Sequence, residues 1–106
     1  MSRKLVHYLR NERRLHYLTQ ADVAALLGGT WKSRVAKYER GVIPPTNVAL
    51  EYQAILGKPV SELLGGAYER ARSDVRRRAH ELLMRDDAGN TPRRLRRRRS
   101  LERIAA

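Results

Sequence analysis

LTQADVAALLGGTWKSRVAKYERG, residues Leu18 to Gly41, is the stretch on which the reading of this chain turns. Thr19 followed by Gln20-Ala21-Asp22 is an N-terminal helix cap. The threonine oxygen accepts from first-turn amides, and an acid three residues on has the right sign for the helix dipole. Val23, Ala24, Leu26 and Leu27 supply that helix's apolar face, and Gly28 takes the left-handed conformation that ends it. A second helix is predicted from Thr30, its cap, to about Arg40, with Gly41 stopping it. On a wheel of 3.6 residues per turn, Trp31, Val35 and Tyr38 gather on one side. Ser33, Ala36, Lys37 and Arg40 gather on the other, with Lys32 and Arg34 at the flanks. One face suits a core, and the other offers short or cationic side chains to something outside.

The flanks read as further helices with short punctuation and no alternating strand. Leu5, Val6 and Leu9 fall on one face of an opening helix that runs to about Leu15. Pro44-Pro45 imposes extended backbone. Thr46 then caps a helix through Val48, Ala49, Tyr52, Ile55 and Leu56, ended by Gly57. Pro59 and Ser61 repeat the start signal for SELL, and Gly65-Gly66 interrupts or re-aims the chain. A longer helix, about Ala67 to Arg85, carries a narrow stripe of Tyr68, Ala71, Val75, Ala79 and Leu82. Such a stripe fits the preceding helices and a second copy of itself equally well. DDAGNTP is linker-like, and RRLRRRRS is a like-charge block of the kind that stays irregular as an interaction tail. The expected organisation is all-α: a five-helix domain over residues 1–66, a long helix over 67–87, and a flexible basic tail over 88–106.

Charge narrows the partner. The 106 residues hold 23 Lys and Arg against 11 Asp and Glu, a formal net of +12. Residues 1–66 hold 10 against 5, and residues 67–106 hold 13 against 6, so more than half of the excess lies outside the first five helices. Such a field draws polyanions and says little about fold. An anionic membrane surface is the competing partner, but MSRKLVHYLRNERR is too charged for a signal peptide, and no apolar run approaches spanning length. Cysteine is absent, and His7, His16 and His80 lack paired-ligand spacing, so no metal site or other cofactor is expected. No nucleophile–base pair and no phosphate-cradling loop stand out, since Gly28-Gly29 lacks the lysine-hydroxyl ending. An enzyme is therefore not expected.

The outward residues of the second helix suit DNA. Lysine donates to guanine O6 and N7, serine pairs with either strand, and Ala36 can touch a thymine methyl. A capped helix, a glycine turn and a second helix of this kind have the order of a helix-turn-helix. LTQADVAALLGG, then RVAKYERG, then PPTNVALEYQAILGKPVSELL resembles the lambda-repressor-like, Xre-type helix-turn-helix domain over about Leu9 to Leu64. The resemblance implies that Gln20 bonds a backbone phosphate. It implies that Lys32, Ser33 and Lys37 reach base edges, and that Arg34 and Arg40 lie by phosphates. It also pairs Glu39 with Arg13, although a plain surface glutamate is the other reading. Between Leu27 and Val35 the chain is one residue longer than the family's common form, which enlarges the turn at Gly28-Gly29-Thr30. Ser33 is then an alternative cap, in a reading helix shorter by about a turn. Trp31 has three readings: packed beneath Val35, laid on the sugar-phosphate backbone or a thymine methyl, or exposed without a role.

The expected function is a sequence-specific regulator of transcription that binds double-stranded DNA as a homodimer. The basic tail would add phosphate contacts through Arg93, Arg94, Arg96 and Arg97. Two alternatives stand beside it: a basic accessory or nucleoid-type protein without sequence preference, and an antitoxin-like regulator that also grips a protein partner. A cytoplasmic, nucleoid-associated place in a prokaryote goes with all three.

Overall fold

The computed structural model describes residues 8–85 and 89–106; Leu5 and Val6, expected on the opening helix, lie outside them. The described residues form α1 (Leu9–Leu15), α2 (Gln20–Leu26), α3 (Lys32–Glu39), α4 (Thr46–Leu56), α5 (Val60–Leu63), α6 (Gly65–Met84) and α7 (Pro92–Ala105). No strand occurs among them. The chain divides into two units at Tyr68/Glu69, inside α6.

In the N-terminal unit, α2 and α1 both pack on α3, and α4 packs on α5. The core is built from Leu9, Val23, Ala24, Leu27, Val35, Tyr38, Ala49, Tyr52, Leu56, Leu63 and Leu64. Leu18, Val48, Ile55, Val60 and Ala67 close its margins. The predicted apolar faces of α2 and α4 are thus the buried ones, with one exception. Leu26 is 54 % exposed, because the core side of α2 is already filled by Val23, Ala24 and Leu27. The Tyr38 and Tyr52 rings meet edge to face, with centroids 6.2 Å apart, a geometry that adds to the area they bury.

The helix starts follow backbone more than hydroxyl side chains. Thr19 is a full capping box: its Oγ1 accepts from the Asp22 amide at 3.0 Å, and Asp22 Oδ2 accepts from the Thr19 amide at 2.9 Å. That second bond is the main reason the Asp22 carboxyl lies below its ordinary range. Thr46 and Ser61 do not cap. The first helical carbonyl of α4 belongs to Pro45, which accepts from the Ala49 amide at 2.9 Å, so Thr46 is already inside the helix. Pro59 plays the same part for α5, and the side chain that serves this start is Gln53, whose Oε1 accepts from the Val60 amide at 3.1 Å. An extended proline fixes where each helix begins and leaves the next hydroxyl too late to cap.

Gly65-Gly66 does not interrupt the chain; the break is at Leu64, and both glycines lie in α6. A Cβ on Gly65 would sit 3.0 Å from the Tyr8 ring, so close approach, and not a turn, accounts for this glycine. The Tyr8 amide also donates to the Leu63 carbonyl at 2.8 Å, tying the start of α1 to the end of α5.

In the C-terminal unit the basic segment is a helix and not an irregular tail. Thr91 Oγ1 accepts from the Arg94 amide at 3.3 Å, and Pro92 occupies the first helical position, where its missing N–H is no loss. Arginine is among the better helix formers, and repulsion between exposed guanidinium groups is screened by solvent and salt. Together these outweigh the charge run. Among its described residues, only Ala79 and Ala105 are buried. Of the stripe along α6, Tyr68, Val75 and Leu82 remain substantially exposed.

Candidate nucleic-acid interface

The interface is set by how α2 hands the chain to α3. The amides of Gly28 and Gly29 turn back to the carbonyls of Ala25 and Ala24, at 3.1 and 3.0 Å. Both glycines have left-handed backbone, φ +94° and +86°, which a β-carbon penalises. Thr30 belongs to this turn as well, since its amide also reaches the Ala24 carbonyl at 3.1 Å. Thr30 therefore does not cap α3. The helix opens on the Trp31 carbonyl, which accepts from the Arg34 amide at 2.9 Å, and no side chain caps it. Lys32 is its first residue and Ser33 its second, so Ser33 is not the cap either.

Trp31 does not pack beneath Val35. As the extended residue before the helix (φ −79°, ψ 141°) it is off the helical wheel, and it is 78 % exposed. Val35 and Tyr38 are buried, while Lys32, Ser33, Arg34, Lys37 and Arg40 are exposed and Ala36 is half-buried. The cationic and small residues thus share the solvent side of a helix whose other side is core.

The lower end of α3 is pinned by an ion pair. Arg13 Nε and Nη2 donate to Glu39 Oε2 and Oε1 at 2.6 and 3.1 Å, and Arg13 Nη1 donates to the Leu18 carbonyl at 2.9 Å. The side chains are 11 % and 4 % exposed. Hydrogen bonding to Glu39 holds the Arg13 guanidinium above its already high ordinary value. Gln20 joins this pair: its Nε2 donates to Glu39 Oε1 at 3.1 Å. One amide hydrogen of Gln20 is thereby spent inside the protein. The family pattern points to Arg13 with Glu39; the parts played by Gln20 and the Leu18 carbonyl come only from the folded geometry.

Two buried polar groups escaped sequence reasoning. Glu12 is buried and accepts from Lys58 Nζ at 3.0 Å, which raises the Lys58 ammonium pKa through that hydrogen bond. Nothing periodic connects positions 46 residues apart. The Tyr52 hydroxyl is buried without a hydrogen-bond partner. Burial, followed by the Glu39 charge, pushes its pKa well above the usual tyrosine value, so it stays protonated. On α7, Arg93, Arg94, Arg96 and Arg97 are all exposed.

A capped α2, a tight glycine turn and an α3 with a buried and a cationic side define a helix-turn-helix DNA-binding domain. A Helix-turn-helix family model matches residues 9–63, more than half of the chain. The chain belongs to the lambda-repressor/Xre-type helix-turn-helix family, whose domain is that of DNA-binding transcription regulators. No curated protein and no solved structure gives a match. Among the described residues, no helix is long and apolar enough to cross a membrane, and no three His, Cys, Asp or Glu side chains are grouped as a metal ion would need.

Proposed function

We propose that the chain is a sequence-specific regulator that reads the major groove of double-stranded DNA with α3. The observation that carries this reading is the solvent face of α3. Ser33, Lys37 and Arg40 stand opposite buried Val35 and Tyr38, on a helix fixed by Glu39 to Arg13. In this reading Lys32, Ser33 and Lys37 contact base edges, and Gln20, Arg34 and Arg40 contact phosphates. Half-buried Ala36 lets α3 approach the groove floor. Exposed Trp31 stands where it meets the sugar-phosphate edge or a thymine methyl.

The chain acts as a homodimer in this reading, paired through α6. Tyr68, Val75 and Leu82 follow one another at intervals of seven along a single helix and are left uncovered in the monomer. That interval is the signature of a helix-pairing seam. Paired half-sites would then lie about 34 Å apart, one turn of DNA. The arginines of α7 add phosphate contacts, and the α7 charge also favours a second reading, binding without sequence preference.

Selection of bound duplexes from a random pool separates the two. The regulator enriches a two-fold symmetric motif. Strong retention without an enriched motif leaves the non-specific reading standing in its place.

A further inference from the structure

We propose that the groove between α1 and α3 is a further phosphate-binding site, in which Arg10 and Arg14 of α1 grip the DNA backbone; this rests on the reading of the domain as a DNA binder. The groove is a concavity of about 740 Å³ in the N-terminal unit, and it is walled by side chains of α1, of the start of α2 and of α3. Arg10 and Arg14 of α1 and Lys32, Ala36, Glu39 and Arg40 at α3 are all part of its lining.

Its charge is unbalanced. Among the described residues Arg10, Arg14, Lys32 and Arg40 make no ion pair, and all four are exposed. The one carboxylate in the lining, Glu39, has both oxygens occupied by Arg13 and Gln20. The Arg13–Glu39 pair is neutral in sum, so four uncompensated cations border one concave surface. Such a surface concentrates anions.

The shape favours an extended anion over a single oxyanion. Arg10 and Arg14 are one helical turn apart, about 6 Å along the axis, and Lys32 and Arg40 are about 12 Å apart. The cations are thus spread over more than one helical turn, which suits several phosphates of a strand better than one small oxyanion. Side chains of α1 contribute two of them, although only Arg13 of that helix has a role in the family pattern.

The test compares wild type with R10Q/R14Q on a selected duplex and on an unrelated duplex of equal length, across a salt series. Both positions are exposed, and thermal melting checks that the variant folds. Losing two phosphate contacts should lower the slope of log affinity against log salt by about 1.8. A fourfold rise in salt should therefore weaken wild type about twelvefold more than the variant. The loss should be equal on both duplexes, leaving their affinity ratio unchanged. An unchanged slope overturns the site, and a loss confined to the selected duplex makes Arg10 and Arg14 base readers instead. Titration with inorganic pyrophosphate is the third arm. Saturable binding lost in R10Q/R14Q, with the DNA slope intact, replaces the DNA strand by a free oxyanion. Wild type that binds neither duplex removes the DNA reading itself, whereas wild-type binding with an unaltered variant slope removes this site alone.

Discussion

The N-terminal unit carries 10 Lys and Arg against 5 Asp and Glu, and the C-terminal unit 13 against 6. Their interiors differ in the opposite direction. Residues of α1 to α5 share one packed core, with two ion pairs at its edge, Arg13–Glu39 and Glu12–Lys58. Among the described residues of the C-terminal unit, two alanines are buried. A cation on a helix held by a core and an ion pair has a fixed position and can distinguish bases. A cation on a helix with little interior adds attraction that falls with salt and carries no sequence information. The two units thus suit the two parts of DNA recognition, position and field.

The largest effect expected is on the frame. Arg13→Ala leaves Glu39, 4 % exposed, without its cation. A stranded buried charge costs about 3–5 kcal/mol, a large share of the stability of a small domain. Thermal or urea unfolding should show it, and an unaltered transition would break the claim that the frame depends on this pair. Removing residues 91–106 should leave the preferred sequence as it is while lowering affinity on every duplex. If four arginines of α7 touch phosphates, the salt slope should fall by about 3.6; a shifted motif would make α7 a reader. Lys37→Ala comes next, with a loss of about 1–3 kcal/mol on the selected duplex and relaxed preference at one position. Equal loss on all duplexes would move Lys37 from the reading part to the field.

The smallest change sharpens the frame itself. α1, α2 and α3 end alike: in each, an amide beyond the last turn folds back on the helix's own carbonyls from a left-handed residue. That residue is Gly28 after α2 and Gly41 after α3, but after α1 it is Tyr17, at φ +58°. A left-handed non-glycine residue costs about 1–2 kcal/mol, and Tyr17 is 94 % exposed, so no packing offsets the strain. Tyr17→Gly should raise stability by about 1 kcal/mol, read as a higher melting temperature. A lower one would mean that the tyrosine ring has a partner in solution.

The sequence was most legible where periodicity and backbone restriction act together. The Thr19 capping box, the glycine ends of α2 and α3, and the buried faces of α2 and α4 follow from spacing alone, Leu26 apart. Four features are not fixed by spacing. The helix starts at Trp31, Pro45 and Pro59 depend on which carbonyl first accepts a bond, and Thr30, Thr46 and Ser61 do not reveal that. Trp31 lies off the wheel because α3 starts one residue after it. The Gln20–Glu39 and Glu12–Lys58 contacts join positions that only the folded core brings together. The helix at 92–105 was hidden by a charge run whose repulsion is weaker than the Thr91-Pro92 start and arginine's own helical preference.

In the proposed function the N-terminal unit reads DNA and the C-terminal unit only strengthens its grip. Amide chemical-shift mapping of the full chain on a selected duplex tests this most directly. The largest shifts should fall over Lys32 to Arg40 and at the start of α2, and should change when the duplex is replaced by an unrelated one. Shifts in α7 should be present and the same on both duplexes. Shifts confined to α7, with α3 silent on either duplex, would mean that the N-terminal unit does not read DNA.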